Sequence, residues 1–267
     1  MKLWRGILRL MKYKYIDAHA HVNFPEYEKD REEVILEAEK QGIIIVNVGT
    51  DLETSKAVVA LSEKYENCYA IVGLHPTHNE EFNYEEFKKL AGNPKVVAIG
   101  ECGLDFFREP FNKEKQEKVF KQQIDLALEV GKPLMIHARN SYKEILTILD
   151  NYLMSDGLKL RGNVHFFAGT VEEGAEFIKR GFTLSYTGVI TFAKEYKDLV
   201  TATPNESILS ETDCPFVTPV PYRGQRNSPL NIPLIVAKMA EIKGISEESM
   251  SSTIRENFSR LFNISLK

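Results

Sequence analysis

Short apolar segments rich in β-branched residues recur along the chain, and each is bounded by turn-forming residues. Eight of these segments have the length and composition of strands: Tyr15–Ala18, Ile43–Val48, Tyr69–Val72, Val96–Ile99, Leu134–Ile136, Asn163–Phe166, Thr183–Ser185 and Ser207–Leu209. Strands that are mostly apolar along their whole length are typical of a parallel sheet buried on both faces. The pattern therefore predicts parallel rather than antiparallel pairing.

The segments between these strands mostly have the periodicity of amphipathic helices. Glu28–Gln41 and Lys113–Val130 are the clearest, and Pro233–Lys243 and Ser246–Phe262 follow the last strand. Glycines suited to end a helix precede three of the strands: Gly42, Gly131 and Gly181. Strands alternating with helices predict an α/β fold in a single domain, a (β/α)8 TIM barrel. A GxGxxG motif after the first strand would favour an open sheet instead, and the sequence has none there.

The first residues stand apart from this pattern. They are basic and weakly amphipathic, and Arg5 and Arg9 interrupt any apolar segment of the kind that a secretory signal needs. We expect residues 1–12 to be an N-terminal extension and residues 13–267 to form the barrel domain. Two alternatives are a targeting or membrane-surface helix and a start of the protein at Met11.

The composition is that of an ordinary globular protein, with 43% hydrophobic and 27% charged residues. A formal net charge of -4 argues against a basic surface that coats duplex DNA, so any nucleic acid would be held over a short stretch. Three cysteines without a CxxC spacing favour a reducing cytoplasm. No apolar segment approaches the roughly 20 residues of a membrane span, and nothing indicates an obligate protein partner.

The six histidines all lie at or just after predicted strand ends, where the loops of a barrel carry its chemistry. Because side chains alternate along a strand, the two histidines of DAHAH point the same way. Four imidazoles and two carboxylates converge at these ends: His19, His21, Glu101, His137, His165 and Asp213. This is more than one metal needs, and it indicates two divalent metals that share a carboxylate. Their identity (Zn, Mn, Mg, Fe or Co) stays open.

Three further residues are candidates for substrate binding. His75, in GLHP after the third strand, either contacts substrate or a metal-bound water or has a structural role. Arg139 lies two residues after His137, and Arg223 lies in the proline-rich loop after the eighth strand. A guanidinium matches the oxygens of a phosphate, but either arginine could equally brace a loop.

Several motifs together resemble the TatD-type metal-dependent hydrolases: DAHAHVNF, VGLHPT, AIGECGLDF, PLMIHAR, NVHFFAG and ETDCPFVTPVPYRGQRN. The resemblance extends from about Ile16 to Phe262 and implies an amidohydrolase-like barrel. It also implies a first metal on His19, His21, Glu101 and Asp213, and a second on Glu101, His137 and His165, with Glu101 bridging. Family members are described as cytoplasmic deoxyribonucleases, typically 3′→5′ exonucleases on single strands, and some relatives remove D-amino acids from mischarged tRNA.

We therefore expect a divalent-metal-dependent hydrolase of ester bonds, a deoxyribonuclease acting 3′→5′ on single-stranded DNA ends. Two metals about 3.5–4 Å apart can hold a bridging hydroxide and polarise a phosphoryl oxygen. Asp213 is then the candidate general base, and Glu101 is the other candidate catalytic residue. A D-aminoacyl-tRNA deacylase and a small-molecule amide or ester hydrolase are alternatives on the same site. A barrel reused for binding alone would be expected to lack some of the six ligands.

Overall fold

The computed structural model describes residues 12–107, 109–156 and 160–266. Within them, eight strands form one parallel sheet in which each strand pairs with the next along the chain. The strands are β1 (Tyr15–Ala20), β2 (Ile43–Val48), β3 (Cys68–Val72), β4 (Val96–Asp105), β5 (Leu134–Arg139), β6 (Gly162–Val164), β7 (Phe182–Tyr186) and β8 (Ile208–Ser210).

Helices connect the strands and pack outside the sheet. They are α1 (Arg31–Lys40), α2 (Leu52–Lys64), α3 (Tyr84–Ala91), α4 (Lys113–Val130), α5 (Tyr142–Asp156), α6 (Val171–Lys179), α7 (Tyr196–Ala202), α8 (Ile232–Lys243) and α9 (Glu247–Phe262). α4 has the predicted bounds, and Gly131 ends it in the left-handed conformation, with a φ of 68°. Apolar residues of every strand are buried, so the predicted (β/α)8 barrel is confirmed.

The barrel closes where the chain beyond β8 returns to β1. The Asp213 N–H donates to the His19 carbonyl at 2.9 Å. The buried Asp17 carboxylate in β1 accepts a hydrogen bond from the Thr212 N–H at 2.8 Å and another from the Thr212 hydroxyl at 2.6 Å. These bonds join the first and last strands beside the residues predicted to bind metal.

Several strand bounds differ from the prediction: β1 ends at Ala20 rather than Ala18, and β3, β7 and β8 differ by one residue at one or both ends. The larger differences are in β4, β5 and β6. β4 continues to Asp105 and β5 to Arg139, because these two polar residues pair with each other beyond the apolar part of each strand. β6 ends at Val164 rather than Phe166. Phe166 has a φ of 42°, and its N–H donates to the Glu211 carboxylate at 2.6 Å instead of to a neighbouring strand. A hydropathy pattern shows neither feature.

Two sequence predictions concern the ends and surroundings of the domain. Residues 1–11, most of the predicted extension, lie outside the described residues, whereas Tyr13 is already part of the buried core. The boundary at residue 12 therefore stays a prediction. Within the described ranges, no helix is both long and apolar enough to cross a bilayer.

Substitution of Asp17 tests the closure of the barrel. Asp17→Ala leaves the buried Thr212 N–H without its acceptor, so we expect the free energy of unfolding to fall by about 1–3 kcal/mol. Burial raises the pKa of Asp17 to about 8, so a neutral side chain suits this position. Asp17→Asn should lose much less stability, because its amide oxygen can still accept the Thr212 N–H and its amide nitrogen can donate to the Thr212 hydroxyl. Urea unfolding of the metal-free proteins measures the stability of both variants. Equal stability of wild type and Asp17→Ala would contradict the role of Asp17 in closing the barrel.

Candidate metal centre

The six predicted ligands meet at the carboxyl ends of the strands, on the face of a barrel where the βα loops converge. β1, β4 and β5 carry His19, Glu101 and His137. The other three lie just beyond β1, β6 and β8: His21, His165 and Asp213. All but the fully buried His19 line one cavity of about 600 Å³. The structure therefore brings the whole predicted set together.

Glu101 lies at the centre of the cluster, and its two carboxylate oxygens face different imidazoles. Oε1 lies 2.8 Å from His165 Nε2 and 2.9 Å from His137 Nδ1. Oε2 lies 3.5 Å from His19 Nε2 and 3.8 Å from His21 Nε2. A carboxylate that serves two sets of donors in this way can bridge two cations.

His19, His21 and Asp213 form the first set. His19 Nε2 and His21 Nε2 lie only 3.1 Å apart, and Asp213 Oδ1 lies 3.5 Å from His21 Nε2. His21 Nδ1 lies 2.9 Å from the Val48 carbonyl oxygen, which can only accept. The proton of a neutral His21 is therefore on Nδ1, and its Nε2 lone pair faces the cluster. Two buried imidazole nitrogens this close are suited to a shared cation.

His137 and His165 form the second set, with His137 Nδ1 3.3 Å from His165 Nε2. A buried carboxylate stands behind each ring. Asp105 Oδ2 lies 3.0 Å from His137 Nε2, and Glu211 Oε1 lies 3.5 Å from His165 Nδ1. The hydrogen bond from His137 Nε2 to Asp105 fixes the tautomer of that ring and directs its Nδ1 lone pair into the site, an arrangement that accompanies metal-binding histidines. His165 Nδ1 has Glu211 nearby but makes no hydrogen bond.

Glycine at position 103 lets β4 and β5 approach closely enough for these contacts. Gly103 has a φ of 137°, and a Cβ added there would collide with the His137 carbonyl oxygen. A larger residue would push β5 outward and separate His137 from Glu101.

Three overlapping groups of side chains have their donor atoms within 4.8 Å of one another. Their members are His19, His21 and Asp213; His19, Glu101 and His165; and His75, Glu101 and His137. The first group contains three of the four residues predicted for the first metal and lacks Glu101. The other two divide the remaining donors differently from the prediction, because the His19 and His165 rings stack 4.0 Å apart and because His75 also reaches Glu101.

The carboxylates of the cluster are held in the charged form. Burial raises the pKa of Glu101, but the imidazoles around it, His165 foremost, more than offset this and hold the pKa well below its usual value. Burial likewise raises the pKa of Asp213, and its hydrogen bond to His21 leads the interactions that lower it. Negative charges kept in a buried site need cationic partners. The residues present therefore fit divalent metal ions.

His75 faces the same cavity as a hydrogen-bond donor. Its Nδ1 accepts the Thr77 N–H at 3.3 Å, so the neutral ring carries its proton on Nε2, which lies 3.4 Å from Glu101 Oε1. Burial lowers the pKa of His75 to about 4, and the ring is neutral near pH 7. A neutral donor suits contact with substrate or water better than ligation.

The two candidate arginines have different surroundings. Arg139 lines the cavity, and its guanidinium lies 3.7 Å above the Phe107 ring. Arg223 stacks on Phe192 at 3.7 Å and donates to the Thr218 carbonyl at 3.2 Å, and it is not among the residues lining the cavity. Only Arg139 is therefore positioned beside the predicted ligands.

Sequence reasoning missed Asp105 and Glu211, although both lie within motifs that it singled out. Asp105 is four residues after Glu101 in ECGLD, and Glu211 is two residues before Asp213 in ETD. The alternation that places His19 and His21 on one side also relates each of these pairs. That signal would have indicated two more inward carboxylates.

Comparison with known proteins decides the family. The family model described as "TatD related DNase" matches residues 16–263. The chain belongs to the TatD family. This confirms the resemblance seen in the motifs.

Relatives within the TatD family are similar over nearly their whole length. The metal-dependent hydrolase YabD of Bacillus subtilis is 40% identical over 255 residues, 93% of this chain and 98% of that protein. A protein of Cronobacter sakazakii named 3′-5′ ssDNA/RNA exonuclease TatD is 33% identical over 258 residues, 92% of this chain and 97% of that protein. This TatD-family chain is accordingly a metal-dependent hydrolase.

Solved structures of TatD-family proteins have the same fold. The TatD homologue YJJV of Escherichia coli is 28% identical and superposes with a TM-score of 0.88 over 96% of this chain and 100% of that one. A TatD-family hydrolase of Entamoeba histolytica is 26% identical, with a TM-score of 0.84 over 94% and 99%.

Substitution of Asp105 tests its role behind His137. We expect Asp105→Ala to lower metal affinity about 10- to 100-fold, the usual effect of losing such a carboxylate, because the His137 ring loses its fixed tautomer and orientation. Titration of metal against a competing chelator measures the change. Asp150→Ala is the matched control, since Asp150 pairs with Arg180 on the outer helices. Unchanged affinity in Asp105→Ala would contradict the role.

Proposed function

We propose that this TatD-family hydrolase is a divalent-metal-dependent 3′→5′ exonuclease that acts on single-stranded DNA ends. The observation that carries the proposal is the position of Glu101, whose two oxygens face different imidazoles: Oε1 lies near His75, His137 and His165, and Oε2 lies near His19 and His21. The name of the Cronobacter sakazakii relative supports the substrate class.

Two metals account for this donor set better than one. In the proposal, His19, His21 and Asp213 would hold the first metal, His137 and His165 would hold the second, and Glu101 would serve both. When bound, the metals supply positive charge that polarises a phosphoryl oxygen and makes water a nucleophile near neutral pH.

Asp213 is the proposed general base. Its side chain is 12% exposed, against 5% for Glu101, so Asp213 is the carboxylate of the pair that is more open to the cavity and to water. A lowered pKa keeps it in the form that accepts a proton. As the water oxygen bonds to phosphorus and the bond to the 3′-oxygen breaks, Asp213 takes the proton of the attacking water, and the departing 3′-oxygen receives a proton from solvent water.

Other side chains of the cavity bind and orient the phosphate. Arg139 offers a planar set of donors that matches phosphate oxygens, and its contact with Phe107 restricts where those donors lie. The Nε2–H of His75 points into the site and suits a phosphate oxygen or the attacking water.

The cavity favours a flexible strand end over a duplex. Its volume of about 600 Å³ is in the range of small-molecule sites, which admits a nucleotide or two but not a stiff helix. A net charge of -4 argues against tracking along a duplex, since duplex affinity rests on many phosphate contacts. The three cysteines are all buried and unpaired, which agrees with the cytoplasmic location that we include in the proposal.

A labelled strand tests the substrate. We expect stepwise release of nucleotides from the 3′ end of single-stranded DNA, with blunt duplex and closed circles cut poorly. A chelator should abolish release, and added Mn, Mg or Zn should restore it. Product sizes over time measure the reaction. RNA of the same sequence tests whether single-stranded RNA is also a substrate.

Three results would count against the exonuclease. The first is undiminished turnover by verified metal-free protein. The second is internal cutting of closed circles at comparable rates. The third is release of a D-amino acid from tRNA, or hydrolysis of a small amide or ester, without cleavage of any strand, which would move the assignment to the alternative substrates.

Asp213→Asn tests whether Asp213 acts as a general base in addition to binding metal. The substitution keeps the size of the side chain but removes its charge, and we expect kcat to fall on the order of 10²- to 10⁴-fold, the range of general acid–base contributions. Glu101→Ala should in addition lower the metal content. Metal analysis accompanies the kinetics, and a full rate in Asp213→Asn with both metals bound would refute the base.

A further inference from the structure

An aromatic side chain stands exposed at the mouth of the cavity without a role in the metal centre. Phe216 is 49% exposed and lines the same cavity as the predicted ligands. It lies three residues after Asp213, and its ring makes a T-shaped contact with Phe24 at 6.3 Å. Phe24 in turn stacks on the ring of His21 at 4.5 Å. A line of rings thus leads from a metal ligand to the cavity mouth.

The backbone beneath Phe216 is firmly held although the side chain is exposed. The Phe216 N–H donates to the Asp213 carbonyl at 2.9 Å. Its carbonyl accepts the side-chain amide of the buried Asn227 at 2.6 Å, and the same amide nitrogen lies 2.9 Å from the Thr212 carbonyl oxygen. The ring therefore stands on a backbone that is held on both sides by hydrogen bonds.

The exposed half of the Phe216 ring gains nothing for the fold, because exposed apolar area contributes no burial. A flat ring at the mouth of a phosphodiesterase cavity suits another flat ring. Nucleobases stack on aromatic side chains with little regard to sequence, since every base has a π-face. A T-shaped contact with Phe24 occupies at most one face of the Phe216 ring.

We propose that Phe216 is a nucleobase-binding residue on which a base next to the scissile phosphate stacks. The proposal rests on the nuclease function proposed above and adds the contact that holds the strand end. Arg139 and Phe216 line one cavity, so one binds phosphate and the other binds base. Recognition through a π-face makes the enzyme tolerant of sequence but dependent on the presence of a base.

The experiment combines a substitution in the protein with removal of bases from the substrate. Wild type and Phe216→Ala are each assayed on single-stranded DNA with normal 3′ ends and with abasic sites in the last two nucleotides. We expect Phe216→Ala to raise KM about tenfold on the normal strand, within the range for the loss of one base–aromatic stack, with little change in kcat. Replacing the normal strand by the abasic strand should raise the KM of wild type by a similar factor and should raise the KM of Phe216→Ala much less.

Further variants separate stacking from general apolar contact. Phe216→Trp should keep the wild-type KM, whereas Phe216→Leu, apolar but not flat, should behave as the alanine variant does. Leu36→Ala is the matched control, because Leu36 is 41% exposed on α1 and does not line the cavity. Metal content and unfolding are measured for every variant, since Phe216 bonds to the Asp213 backbone.

Binding to a strand with a cleavage-resistant phosphorothioate 3′ end distinguishes the two proposals. A tenfold higher Kd for Phe216→Ala supports stacking even where turnover is slow. Equal Kd and KM for wild type and Phe216→Ala, with the abasic penalty unchanged, would overturn stacking and leave the nuclease intact. A wild type that neither binds nor cleaves the strand would overturn both. A changed oligomeric state of Phe216→Ala without any kinetic effect would make the ring a protein interface instead.

Discussion

The charge of Glu101 is the constraint on which the rest of the site depends. This carboxylate is 3% exposed at the centre of the barrel mouth, where an ion without compensation costs many times the net stability of a protein. Five imidazoles lie 2.8–3.8 Å from its oxygens. Hydrogen-bond acceptors behind two of them, the Val48 carbonyl behind His21 and Asp105 behind His137, direct the other ring nitrogen inward. The cluster is thus a set of lone pairs and negative charge prepared for cations.

The barrel supplies the rigidity that such a cluster needs. Side chains from five strand ends meet within a few ångströms because the chain at and beyond β8 returns to β1, where Ser210 and Asp213 donate to the Ile16 and His19 carbonyls. The bonds from Thr212 to Asp17 lie at the closure, two residues from His19. At the β4–β5 contact, Gly103 keeps the strands close. The same backbone features therefore serve the fold and the centre.

Much of this arrangement was predictable from local rules. Strand alternation and the position of strand ends singled out the six side chains that the structure gathers at the barrel mouth, since both depend on period and chain order alone. Asp105 and Glu211 obey the same alternation but were missed, because a carboxylate in a motif does not reveal which imidazole it supports. Phe216 was missed for a different reason: an aromatic residue next to a proline reads as core packing until its exposure is known.

The sequence by itself determined the barrel, the order of its elements and the residue types at each strand end, because hydrophobic periodicity and turn residues act over short stretches of chain. Only the tertiary structure decided which donors face which oxygen of Glu101, that His75 presents a proton, and that Arg139 rather than Arg223 lines the cavity. These outcomes depend on distances between residues far apart in the chain. Such distances arise when the strands pack and the barrel closes, and no local pattern encodes them.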